Sequence, residues 1–216
     1  MNMAIFQEPV KKYLYHLGRV DHPVLREMQA YGESKEFPIV NCEVGRVLYQ
    51  LTVLSKAKKV FELGSGFGYS TMWFALALPP NGVVHHTDAD PENTKLAQHY
   101  FKKAGLLKKV RFHSGDALES LAQTPGNFDI YYCDIDKEGY PDAYHAIDHR
   151  IKPGNLVLTD NLLWSGKVAH PNPDAPTRAI LKYTRLFWND RNFASSMLPI
   201  RDGVGFHLRL KHPRKF

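Results

Sequence analysis

Cysteine is scarce in this chain. Two occur among 216 residues, Cys42 and Cys133, far apart and in dissimilar surroundings. That excludes a disulfide framework and leaves two reduced thiols. No apolar run approaches the roughly 20 residues needed to cross a bilayer. Met1–Gln7 has no basic stretch leading into a long apolar core. The expectation is a cytoplasmic protein with no membrane partner. Internal repeats, low-complexity tracts and Cys/His clusters of zinc spacing are also missing, and the eleven histidines are scattered. The charge is +6, and much of it lies in Lys102-Lys103, Lys108-Lys109-x-Arg111 and the tail Arg209–Lys215. These read as solvated faces, with attraction to an anionic partner such as RNA as the sharper alternative. With 44% hydrophobic and 23% charged residues, the chain reads as one globular domain over residues 1–216.

What is present is organised around Val60-Phe61-Glu62-Leu63-Gly64-Ser65-Gly66-Phe67-Gly68-Tyr69-Ser70. An apolar run breaks into three glycines and resumes at helical spacing through Met72, Trp73, Leu76 and Leu78. The pattern predicts strand, tight turn and helix, with the helix N–H groups aimed at a ligand. Nicotinamide, flavin and S-adenosylmethionine enzymes all use such a turn. The Gly-x-Gly-x-Gly spacing departs from the dinucleotide pattern. Glu62, just before the turn, would repel a pyrophosphate and could accept a hydrogen bond from an ammonium. A cofactor carrying an amino acid and a sulfonium fits better.

Residues 1–36 repeat apolar positions at helical spacing and predict a helical cover, with Asp21 as a candidate cap before Pro23. Residues 37–216 predict the catalytic core. A helix over Val44–Ser55 is followed by strands at Val60–Leu63, Val83–Thr87, Val110–His113, Phe128–Cys133 and Asn155–Thr159. Helices alternate with them at Tyr69–Leu78, Glu92–Ala104, Ala117–Gln123, Tyr140–Ile151 and Thr177–Trp188. Two last strands, Phe193–Leu198 and Gly203–Leu210, flank the turn Arg201-Asp202-Gly203. Pro171–Pro176 reads as a loop. The alternation predicts an α/β fold: a Rossmann-like, doubly wound, mostly parallel seven-stranded sheet with an antiparallel C-terminal strand pair and an N-terminal helical appendage.

Ligands of such sheets sit beyond the carboxyl ends of the strands. Asp88 ends the second strand, where an acid can accept both ribose hydroxyls of a nucleoside. Asp116 and Ala117 follow the third, and suit an adenine edge and face, though Asp116 also suits a helix cap. Asp134, Asp160 and Asn161 end the fourth and fifth strands. Two carboxylates and an amide oxygen form a hard oxygen set for Mg²⁺, Mn²⁺ or Ca²⁺. Lys137 follows three residues after Asp134, where a nearby dication would help its amine act as a base.

These residues together resemble the cation-dependent class I O-methyltransferases, the family of the catechol and caffeoyl-CoA O-methyltransferases. The matching stretches are Val60–Ser70, Thr87–Pro91, Ser114–Leu118, Asp134-Ile-Asp136-Lys137-x-x-Tyr140, Asp160-Asn161-x-Leu163-x-x-Gly166-x-Val168 and Leu198-Pro-Ile-x-Asp202-Gly203. They run in family order from about residue 40 to the end. The resemblance implies that Glu62, Gly64, Ser65 and Ser70 hold the methionine part of S-adenosylmethionine, with Val40 contributing from the entry loop. It implies Asp88 on the ribose, Ala117 by the adenine and Asp136 against the cofactor. Asp134, Asp160 and Asn161 would bind the divalent cation, Mg²⁺ first, and Lys137 would be the base. It also implies a phenolic small-molecule substrate and a homodimer.

Two departures touch the acceptor. Animal catechol enzymes carry a glutamate two residues after the last Asp-Gly, whereas Asp202-Gly203 is followed by Val204-Gly205. Plant coenzyme A ester enzymes carry an asparagine where Ser165 stands. The leading expectation is transfer of a methyl to a vicinal dihydroxy aromatic. The alternatives are methylation of a hydroxylated uridine in tRNA and a nucleotide-binding protein without catalysis.

Overall fold

The computed structural model describes residues 7–18 and 20–215. The first six residues of the expected helical cover, Arg19 and Phe216 lie outside them. The described chain opens with three helices, α1 (Glu8–Leu17), α2 (Pro23–Ser34) and α3 (Cys42–Leu54). There follow β1 (Lys59–Leu63), α4 (Tyr69–Ala77), β2 (Val83–Asp88), α5 (Pro91–Lys103), β3 (Val110–Ser114) and α6 (Ala117–Gln123). Then come β4 (Ile130–Cys133), α7 (Tyr140–Asp148), β5 (Leu156–Thr159), α8 (Ala175–Asn189), β6 (Phe193–Leu198) and β7 (Val204–Arg209). The seven strands form one sheet in the order β3-β2-β1-β4-β5-β7-β6. β1 to β5 are parallel, and β7 joins β5 and β6 antiparallel. The expected fold class is the observed one.

Period-2 alternation assigns each strand side chain to one of two cores. Val60, Ile130, Tyr132 and Leu158 pack on one face with α2 to α5, while Phe61, Tyr131, Cys133 and Val157 pack on the other with α6 to α8. Full burial of a side chain such as Phe61 contributes about 2–3 kcal/mol. Both cysteines are buried and unbridged. α2 is part of the first core through Val24, Leu25 and Met28. Its Tyr31 ring meets Phe67, in the glycine turn, edge-on at 5.2 Å. Among the described residues no helix is long and apolar enough to cross a membrane.

Several boundaries differ from expectation for identifiable reasons. α8 starts at Ala175, not Thr177: Asp174 caps the amide of Thr177, and Pro176 is tolerated in a first turn. β4 starts at Ile130, not Phe128, because the carboxylate of Asp129 accepts from the amides of Lys58 and Lys59 at 2.7 and 2.9 Å. α2 is capped by His22, whose Nδ1 accepts from the amide of Leu25, and not by Asp21.

Candidate active site

The carboxyl ends of β1 to β5 open into a cleft of about 680 Å³. Its first half is built by the glycine turn and the ends of β2 and β3. Gly64 adopts φ +80°, and a Cβ there would lie 2.5 Å from the carbonyl oxygen of Asp134. Only glycine lets β1 and β4 approach so closely at the cleft floor. Asp88 is held by its neighbours: Oδ2 accepts from the amide of Gly66 at 2.8 Å, and Oδ1 from the amide of Asp90 and from Asn93 Nδ2 at 3.0 Å. His86 lies beneath, its Nε2 donating to the carbonyl of Gly66 at 2.9 Å. Burial lowers His86 to about 4, so it is neutral. Asp116 caps α6 through the amide of Glu119, as its position allowed, and also lines the cleft. Ala117 lies beside it.

The other half is built by β4, β5 and two loops. Asp134, Asp136, Lys137 and Asn161 line it. Lys137 is 8% exposed, and its Nζ donates to Asp134 Oδ1 at 2.9 Å, Tyr140 Oη at 2.8 Å and the carbonyl of Ile135 at 3.2 Å. Tyr140 in turn donates to the carbonyl of Asp160 at 2.9 Å. Asp160 itself is wholly buried behind the lining, and its Oδ1 has no hydrogen-bond partner. Burial and the charge of Asp134 raise the Asp160 carboxyl, opposed by Arg201. Burial also raises Asp134, against the pull of Lys137.

Two buried carboxylates, one with an orphaned oxygen, are an incompletely satisfied donor set. With the Asn161 amide they fit a hard divalent cation. No cluster of three or more His, Cys, Asp or Glu is placed to hold a metal among the described residues. The expected set is of another kind, two carboxylates and an amide.

Four expected cofactor residues sit behind the lining. Val40 packs in the first core, and Pro38 from the same segment lines the cleft instead. Glu62 is fully buried, with the Thr71 hydroxyl donating to its Oε2 and no partner on Oε1. Burial pushes the Glu62 carboxyl up to about 7, while the Ser70, Thr71 and Ser65 hydroxyls hold it down. Ser65 and Ser70 are buried in the turn and first turn of α4, and Ser65 Oγ accepts from the amide of Thr87. Sequence reasoning missed Trp164 and Arg201, both on the cleft wall. Trp164 stands three residues beyond Asn161, and Arg201 opens the last turn, so their spacing to the motifs was a usable signal.

This sheet order, with the glycine turn and a carboxylate pair at the strand ends, defines a Rossmann-like, doubly wound α/β fold whose cleft lies where such sheets bind ligands. The chain belongs to the O-methyltransferase family, whose model matches residues 16–210. It is 36% identical over 214 residues to caffeoyl-CoA O-methyltransferase 1 of Eucalyptus globulus, covering 93% of this chain and 86% of that one. It is 35% identical over 182 residues to a catechol O-methyltransferase of Niastella koreensis, covering 82% of each. Its fold matches that of an O-methyltransferase of Bacillus cereus solved in complex with SAH, with TM-score 0.84 and 23% identity over 93% of this chain and 97% of that one.

Proposed function

We propose that this chain transfers the methyl group of S-adenosylmethionine to one hydroxyl of a vicinal dihydroxy aromatic, a catechol-type small molecule, with a divalent cation held by Asp134, Asp160 and Asn161. The carrying observation is the shared cleft. Asp88, Asp116 and Ala117 line one end, Asp134, Lys137 and Asn161 the other, and the unpartnered oxygen of Asp160 lies behind them. The names of the relatives, caffeoyl-CoA and catechol O-methyltransferase, support the acceptor class. Mg²⁺ suits the oxygen set best, with Mn²⁺ and Ca²⁺ as alternatives.

When bound, the sulfonium supplies an activated methyl and the cation favours the ionised form of a hydroxyl it holds. The protein's own part is to bind, to orient and to take a proton. Asp88, already accepting from three donors, keeps one of its roughly four lone-pair sites for a ribose hydroxyl. Gly64 brings the backbone at the end of β1 against Asp134 and so closes the cleft floor on which the methionine part would rest. Trp164 offers an aromatic wall, 5.7 Å from Lys137 Nζ. Lys137 is the proton acceptor: as a neutral amine its Nζ keeps two N–H donors for Asp134 and Ile135 and, giving up its bond to Tyr140 Oη, turns its lone pair to the hydroxyl. Fixing these groups in one cleft supports rate through positioning.

The test is methyl transfer from labelled S-adenosylmethionine to a panel of catechols, with Mg²⁺ and then with chelator. Product that requires the metal is expected. Product indifferent to chelator refutes the cation. No product with any catechol, with cofactor binding intact, refutes the acceptor class and makes bulk tRNA the next substrate. The RNA alternative gains no support from the relatives named above. A homodimer is supported by apolar side chains exposed on α1 and α3, among them Tyr13, Leu17, Val53 and Leu54, and sedimentation tests it. A cytoplasmic location is proposed from the sequence alone.

A further inference from the structure

One cation at the cleft has no part in the chemistry above. Arg201 lines the cleft, and its Nη1 lies 3.4 Å from Asp160 Oδ2. Its backbone is left-handed, with φ +51°, a strained conformation for a residue with a Cβ. The surroundings enforce it. Gly203 donates to the carbonyl of Ile200 at 2.9 Å, closing the turn before β7. The amides of Leu162 and Leu163 donate to Gly203 and Asp202 at 2.9 and 2.8 Å, and the amide of Ser165 donates to Asp202 Oδ1. The turn is thereby clamped to the segment that carries Asp160 and Asn161.

The ion pair is incomplete. An arginine and a carboxylate at full strength make two short parallel hydrogen bonds. Here there is one long contact, and Asp160 Oδ1 is left with no partner. The two basic side chains at the site also differ in freedom. Lys137 is almost buried and bound by three oxygens, whereas the Arg201 side chain is 34% exposed beside a wholly buried Asp160. One lysine and one arginine already balance the charge of the two ligand carboxylates, Asp134 and Asp160, before any metal enters. A dication added to that set leaves an excess of positive charge. A guanidinium cannot shed its proton, so Arg201 can relieve the excess only by moving. Its exposure lets it do so.

We propose, on the reading that Asp134, Asp160 and Asn161 hold a divalent cation, that Arg201 is a resident counter-cation of that site. It partners Asp160 in the metal-free protein and yields it when the metal enters, and so sets the metal affinity.

The test is titration of the acceptor-free protein with Mn²⁺, read by electron paramagnetic resonance and by the melting temperature. Arg201→Gly removes the charge and the strain together; Arg201→Gln removes the charge and keeps the backbone. Removing one positive charge a few ångströms from a dication should tighten Mn²⁺ binding about tenfold or more in both variants. The rise in melting temperature on adding Mn²⁺ should also be larger than in the parent protein, because metal-free Asp160 has lost its partner. Asp160→Asn should abolish Mn²⁺ binding and erase the difference between the Arg201 backgrounds. Unchanged or weaker Mn²⁺ binding in both Arg201 variants overturns the proposal. If neither the parent nor the variants bind Mn²⁺ while S-adenosylmethionine still binds, the metal site itself is refuted and this proposal with it.

Discussion

Glu62 offers a test of the cofactor half that needs no acceptor. Its carboxyl is fully buried in the middle of the sheet, where burial moves it from 4.5 to about 7. Ionising a carboxyl so displaced costs the folded state about 3 kcal/mol. The sign follows from where the protons are. Below pH 4.5 both folded and unfolded chains hold the proton, and the group contributes nothing to the pH dependence. Between 4.5 and about 7 the unfolded chain has released it and the folded chain has not, so stability falls as pH rises through this window. Above pH 7 the loss is complete. Glu62→Gln removes the titration and keeps the shape. The expected difference in unfolding free energy, variant minus parent, is near zero at pH 4.5 and rises to about 3 kcal/mol in the variant's favour at pH 8. Urea unfolding at four pH values measures it. If Glu62 serves the methionine part of the cofactor, the same variant binds S-adenosylmethionine more weakly while being more stable. A flat difference curve refutes the electrostatic argument. A rising curve with unchanged cofactor affinity leaves Glu62 a buried cost without that function.

Four further substitutions separate the parts of the cleft. Asp160→Ala should lose metal-dependent turnover by about a hundredfold or more while cofactor binding, measured by calorimetry, is kept; normal turnover defeats the metal assignment. Asp88→Asn loses the charge and turns one of the two accepting oxygens into a donor, stranding at least one of the three N–H groups, and should weaken S-adenosylmethionine binding by about 10- to 100-fold in the same assay. Gly64→Ala drives a Cβ to 2.5 Å from the carbonyl of Asp134 at a positive φ, and should lower the unfolding free energy by about 1–3 kcal/mol in urea melts. Lys137→Met should reduce kcat by about a hundredfold or more with Mn²⁺ binding retained, and flatten the pH–rate profile if Nζ is the base.

Most of the fold could be read because its causes are local. The apolar runs of β1, β4 and β5 are buried on both faces, as a central parallel sheet requires, and the glycine turn fixes where β1 ends. What could not be read turned on which atom a polar side chain chose. Asp174 and Pro176 look like loop residues until Asp174 is seen capping α8, which brings Pro176 inside a first turn. Phe128 continues an apolar run, but Asp129 spends its carboxylate on two amides of β1 and its approach, and the strand starts one residue later. The cap joins residues three apart, one of several turns that so short a stretch allows, whereas the choice of Asp129 depends on a partner 71 residues away, beyond any local pattern.

The site divides along the same line. One half of the cleft lies at strand ends, so Asp88, the last residue of β2, falls where the period of the strand puts it, and Asp116 caps α6 just beyond β3. The other half draws on two loops, after β5 and before β7. Trp164 and Ser165 have left-handed backbones, as do Asn161 and Arg201, and the amides of Leu162 and Leu163 tie that loop to the turn at residues 201–203. No sequence period encodes such a junction, and it is here that the catechol-type glutamate and the ester-type asparagine are replaced by Gly205 and Ser165. A methyl donor is the same molecule for every member of such a family, so its residues can be strict and local. An acceptor differs from one member to the next, and the junction of these two loops is suited to that variation, because a side chain such as Arg201 there sets the charge beside Asp160 from outside the strands of the sheet.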